Sequence, residues 1–199
     1  MTKVVNRVLD ILSNKGLLLP EEHVQTSVDR LAPLVKNDKN IPHKHFVIDE
    51  IVRTERDYVQ HLEILQDFKN EVEESGAIAG DAVHDIFLNL NALLDFQRRF
   101  LIRIEQQNSL PEDQQNWGQL FIQYKESFRV YEPFIANQIR CNNAVTKEWD
   151  KLKAAPLSED LRGMVEIQSI LTGFLMKPFQ RLSKYPMLLD VRFQRSLLS

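Results

Sequence analysis

Met176, Gln180, Lys184 and Met187 recur at helical spacing within the segment Leu175 to Leu189. At about 100° per residue they fall opposite the stripe formed by Leu171, Leu175, Leu182, Tyr185 and Leu189. The leucine and tyrosine stripe reads as a core face, so the other face should meet solvent, yet it carries two methionines around an amide and an ammonium group. Large apolar side chains interleaved with a base mark a protein-docking surface, whose chemistry is non-covalent. Lys177, Arg181 and Lys184 add a basic row at i, i+4 and i+7, which an exposed helix edge would also give.

A second candidate set lies far upstream. Counted from Ile51, the residues Tyr58, Leu62 and Leu65 share one stripe. Glu50, Thr54, Asp57 and His61 form a polar stripe roughly 60° to 120° away, so Glu50 borders the core without entering it. Glu55 falls near the apolar stripe. A carboxylate buried there requires a nearby base or hydroxyl, which gives it a structural role. Arginine's planar fork suits such a partner, and Arg181 is expected in a structural salt bridge.

Other chemistry lacks its residues. No two glycines lie closer than the four residues between Gly76 and Gly80, so no phosphate-cradling loop is present. The histidines, His23, His43, His45, His61 and His84, form no His-x-x-x-His pair and sit beside no cysteine cluster, so no metal site is expected. No glycine-flanked serine elbow exists, and no covalent catalysis or cofactor is assigned.

Charged residues make up 27% of the chain but the net charge is only −3, which argues against general attraction to nucleic acid or an anionic membrane. The lone Cys141 fits a reducing compartment, and no apolar run reaches the length of a membrane span. The expectation is a cytoplasmic protein. At 199 residues and 43% hydrophobic content, one main domain with a short appendage is expected.

The elements that must position these residues are all helical, because helical periodicity recurs throughout and no alternating strand pattern occurs. Short helices are expected around Val4 to Leu12, ended by Gly16, and from Glu21 to Lys36, followed by the linker Lys36 to Pro42. A long helix should run from Pro42 to about Glu74, before the breaker Ser75 to Gly80. The next is expected from Asp81, as its cap, to about Gln107, and a third from Gln114 to Lys153, kinked or divided by Pro133. Ser158 should cap the helix leading into Leu175 to Leu189. Trp117, Tyr124, Phe128, Tyr131, Phe134 and Trp149 read as core, and Asn137 as a cap or bridge.

Ile48-Asp49-Glu50-Ile51-Val52-Arg53-Thr54-Glu55-Arg56-Asp57-Tyr58-Val59-Gln60-His61-Leu62 resembles the first signature block of Dbl-homology domains, the Rho-family guanine-nucleotide exchange factors. Asp85 to Leu90 with Arg99-Phe100-Leu101 is similar to that family's second helix, and Phe128 through Tyr131 to Asn137 to its middle block. Leu175 to Leu189, with its Lys-Pro-x-Gln-Arg core and Lys-Tyr-Pro, resembles the third block. The resemblance implies an all-α, elongated bundle of long helices over residues 42–189. Residues 1–41 are then either the end of a calponin-homology domain or an ordinary helical lead-in, and 190–199 a divergent tail. The phrasing is most like fungal cell-polarity exchange factors, which implies a Cdc-type Rho GTPase as partner, polarity scaffold proteins as further partners, and recruitment to the cell cortex.

What the resemblance implies for the site is a grip by the first and third signature helices on the two switch segments of the GTPase, displacing Mg²⁺ and opening the phosphate site. Glu50 maps onto the acidic contact to the first switch and Lys184 onto the basic contact to the second. Met176 and Phe179 map onto apolar positions that select among GTPases, and Thr54, Gln180 and Met187 complete the contact set. Glu55, Arg181 and Tyr185 are assigned to structure. The alternative is a non-catalytic helical interaction module; a curved membrane-binding bundle would need a continuous basic face.

After Leu189 the family normally continues with core leucines and a last long helix that also touches the GTPase. Here Arg192 falls in the phase of Tyr185 and Leu189, and the tail Asp190 to Ser199 follows. The bundle is therefore expected to be incomplete at its C-terminal helix. The 199-residue chain should be a weak or inactive exchange catalyst, which release of a fluorescent guanine nucleotide from a Rho GTPase would measure: a full family-level rate would refute it.

Overall fold

The computed structural model describes residues 43–196, with side chains from Ile48 to Pro186. The expectations for residues 1–41, and those for the side chains of Met187, Leu189 and Arg192, lie outside that range. Helix α1 spans His43–Ser75. It forms where the sequence requires one, because Ile51, Glu55, Tyr58, Leu62, Leu65, Phe68 and Val72 recur at three- and four-residue steps and are all buried. Gly76 ends it with φ +62°, a backbone region that L side chains rarely occupy. The Ser75 hydroxyl donates to the Val72 carbonyl at 2.8 Å and accepts from the Ala77 amide at 3.2 Å, closing the turn.

The expected second helix is two: α2, Gly80–Phe87, and α3, Leu90–Asn108. Leu88 takes φ +52° between them. No glycine or proline signals that break. It lets Phe87 and Leu90 both be fully buried on either side of the corner, while the Asn89 side chain donates to the Val130 carbonyl at 2.8 Å. Asp81 does not occupy the cap position. Ala79 does, and the Asp81 carboxylate accepts from the Ala82 amide inside the first turn.

The third expected helix is likewise divided, into α4, Trp117–Gln123, the short 3-10 turn Ser127–Val130, α5, Tyr131–Ala136, and α6, Gln138–Ala154. Pro133 sits in the first turn of α5, where its missing N–H would have had no helical acceptor. The helix therefore does not break there. The break falls at Asn137, whose side chain donates back to the Pro133 carbonyl at 2.7 Å, the bridging role open in the sequence. Ser158 stands at the cap position of α7, Glu159–Arg162, without a side-chain cap bond. Its amide donates instead to Glu71 of α1 at 2.8 Å. The helix it begins stops after four residues, and a separate helix, α8, spans Gln168–Ser196 with Pro178 and Pro186 inside it.

The core lies between α1, α3 and α8, with α2 packed on α6 and α8 on α5 and α6. Trp117, Phe128, Tyr131 and Phe134 are buried, and Tyr124 and Trp149 pack against the core from its edge, as their spacing implied. Phe100 and Phe128 meet edge-on at 5.2 Å, and Tyr185 joins Phe128 at 5.4 Å and Phe121 at 5.6 Å, so α3, α4, the 3-10 turn and α8 share one aromatic cluster. Among the described residues no helix is long and apolar enough to cross a membrane.

A Cβ added at Gly76 or at Gly80 meets nothing within 4 Å. Gly76→Ala should nevertheless lower the unfolding free energy by about 1 kcal/mol through its positive φ, whereas Gly80→Ala, at a helical position, should leave it unchanged or higher. Denaturant unfolding of the two variants measures the difference.

Candidate functional site at the seam of α1 and α8

The two helices that carry the sequence candidates lie side by side and run in opposite directions. His61 and Phe174 meet edge-on at 5.4 Å; seven residues back along α1 and seven forward along α8, Thr54 meets Arg181. Continued by one turn, this register brings Glu50 level with Lys184 and Tyr185. Glu50 is half-buried and Lys184 exposed, so an acid and an amine stand at the same level of the seam.

A buried ionic centre holds that register. Glu55 is 0% and Arg181 4% exposed. Arg181 Nε donates to Glu55 Oε2 at 3.0 Å and Nη2 to the same oxygen at 2.5 Å. The Tyr185 hydroxyl donates to Glu55 at 2.9 Å, and Gln97 Nε2 donates to Glu55 Oε1 and to the Tyr185 hydroxyl. Tyr131 donates to Gln97 Oε1 at 2.7 Å and shares a hydrogen bond with Tyr58. The Arg181 guanidinium also lies over the Tyr185 ring, 4.9 Å from its centroid. Burial pushes the Glu55 carboxyl above its ordinary value, and Arg181, Tyr185 and Gln97 draw it part of the way back. Burial works against the Arg181 charge, but Tyr185 and Glu55 beside it outweigh that and raise its pKa further. Burial likewise raises the hydroxyls of Tyr58, Tyr131 and Tyr185. The whole centre is a closed structural network, in which the two charges, the amide and the hydroxyls are partnered by one another.

Around this centre the candidates divide. Glu55, Arg181 and Tyr185 take the structural places assigned to them. Gln180 and Lys184 face solvent, and Met176 is half-buried against the core. Phe179, for which the family resemblance implies an apolar contact, is 4% exposed and belongs to the core instead. It lies only about 40° from Leu175 by helical phase, so it follows the leucine stripe. The Thr54 hydroxyl is half-buried and turned towards Arg181 and the Glu50 carbonyl. The basic row is not a solvated edge, because Arg181 leaves it for the interior between Lys177 and Lys184. Gln97, Tyr131 and the His61–Phe174 contact also build the site, beyond the residues that the sequence pattern marks. Gln97 had a visible signal: a polar residue at i+4 from Leu93 and i−3 from Phe100, inside an apolar stripe.

The family model described as the RhoGEF domain matches residues 47–192, most of the described structure. The chain belongs to the RhoGEF family. It is 32% identical to the Rho guanine nucleotide exchange factor scd1 of Schizosaccharomyces pombe over 87% of this chain and 20% of that protein. Its identity with Cell division control protein 24 of Saccharomyces cerevisiae is 37%, over 71% of this chain and 16% of that one. A solved structure of the Vav1 exchange factor superposes on 74% of this chain and 40% of its own, with TM-score 0.60 and 26% identity. The chain thus spans a fifth or less of the fungal relatives named.

Removing one partner of the ionic centre leaves the other charge buried without compensation. Arg181→Met should cost about 3–5 kcal/mol of unfolding free energy at pH 7. Without Arg181 the folded-state pKa of Glu55 rises further above its unfolded value, so the variant should regain stability relative to the parent as the pH falls from about 7 to about 5. Unfolding midpoints across that range report it; a pH-independent deficit would contradict the origin given.

Proposed function

We propose that residues 42–189 form a guanine-nucleotide exchange module for a Rho-family small GTPase, in which the seam of α1 and α8 is the docking face. What supports the reading is the register of α1 and α8, fixed by the His61–Phe174 and Thr54–Arg181 contacts, which brings Glu50 level with Lys184 beside the buried centre. Exchange needs no bond to be made in the protein. A surface that binds the nucleotide-free GTPase better than the loaded one must, by linkage, weaken the nucleotide's affinity by the same factor. Glu50 accepts from the first switch segment, Lys184 donates to the second, and Gln180 and Met176 cover the ground between; Met187 belongs to the contact set by family resemblance alone. The acid and the amine separate the two roles by charge, which fixes the orientation of the bound partner. Similarity to fungal exchange factors favours a Cdc-type GTPase, met in the cytoplasm or at the cell cortex.

A binding comparison tests this reading. Immobilised chain should retain a Cdc-type GTPase stripped of nucleotide by a chelator far better than the same GTPase loaded with GDP. Glu50→Ala and Lys184→Ala should each weaken that retention by about tenfold while leaving the thermal midpoint nearly unchanged, as charged contacts at an exposed edge do. Equal retention of both forms would instead support a non-catalytic interaction module.

A further inference from the structure

The Arg181 guanidinium does more than neutralise Glu55. Its Nη1 donates to Thr54 Oγ1 at 2.7 Å, and its Nη2 to the Ile51 carbonyl at 3.3 Å. Thr54 Oγ1 in turn donates to the Glu50 carbonyl at 2.7 Å. All three bonds fall on one turn of α1, and the side chain that gathers them belongs to α8. Carbonyls inside a helix already have amide donors, so these extra donors add nothing to the helix as such. What they add is a tie between the orientation of the Glu50 turn and the opposite helix. Arg181 is a fixed anchor for such a tie. Its fork is planar, and with Nε and Nη2 held on Glu55 the direction of Nη1 is settled.

We infer that Thr54 and Arg181 are positioning residues for Glu50: the buried pair, acting through the Thr54 hydroxyl, sets where Glu50 stands at the edge of the seam. The inference rests on the exchange reading, in which Glu50 is the contact to the GTPase. It also gives Thr54 an inward role, in place of the direct contact its family position implied. A contact turn ordered before binding loses less freedom on binding, and this is what the tie contributes to affinity.

Thr54→Val keeps the shape of the side chain and removes the hydroxyl, and Thr54→Ser restores it. Two measurements on the full chain separate the claims. In amide hydrogen exchange, Thr54→Val should speed exchange severalfold across residues 48–58 and leave Leu90 to Asn108 unchanged, and Thr54→Ser should return it to the parent rate. In retention of nucleotide-free Cdc-type GTPase, Thr54→Val should weaken binding about fivefold, Thr54→Ser less than about twofold. In a Glu50→Ala background, Thr54→Val should bring no further loss, because its effect passes through Glu50. Unchanged amide exchange in that turn would overturn the inference, as would a full additional fivefold loss in the Glu50→Ala background. If the parent chain shows no preference for the empty GTPase, the exchange reading fails on that arm. The amide-exchange arm then decides alone whether the hydroxyl holds the turn.

Discussion

A carboxylate and a guanidinium, both out of water, govern the arrangement of this molecule. Glu55 and Arg181 have almost no contact with solvent, and either charge alone in that position would be strongly destabilising. The two satisfy one another only when α1 and α8 lie antiparallel in a single register. Apolar packing supplies most of the energy that brings the helices together, but a leucine stripe tolerates sliding and rotation far better than a directional bond does. Gln97 from α3 and Tyr131 from α5 complete the centre, so four helices meet at one charge pair. A rearrangement of any of them would leave a buried donor or acceptor unmatched.

The outer face of the seam follows from the inner one. Once Arg181 and Tyr185 point inward, Lys184 and Gln180 must point outward on the same turns; once Ile51 and Glu55 are buried, Glu50 must stand at the border. The docking surface proposed above is thus the reverse side of the core, and its geometry is inherited from buried residues. This also explains why Phe179 and Met176, neighbours in sequence and both apolar, take different places. Phe179 follows the leucine stripe into the interior, while Met176 lies against its edge, where a flexible thioether can adapt to a partner.

Helical periodicity was enough to read the all-α class, the first long helix to within a residue or two, and the core assignment of the aromatic residues, because those depend on the sequence's own phase. The burial of Glu55, its need for a base and the choice of Arg181 were also legible, since a carboxylate in an apolar stripe admits few solutions. The corner at Leu88 was not. It has no glycine, and a leucine accepts the strained backbone there because burying Phe87 and Leu90 on opposite sides outweighs it. The end of α7 after Arg162 and the harmless place of Pro133 were equally hidden, since both depend on where neighbouring helices stop.

The sequence by itself therefore determined which residues are inside and which face outward on each helix, because that is a matter of phase along one chain. Only the tertiary structure decided which helices lie together and at what level, and so which outward residues share a surface. Glu50 and Lys184 are more than a hundred positions apart. Phase can orient each of them, but no periodicity along the chain relates one to the other; that relation is fixed by the short, directional bonds between Arg181, Glu55 and Thr54.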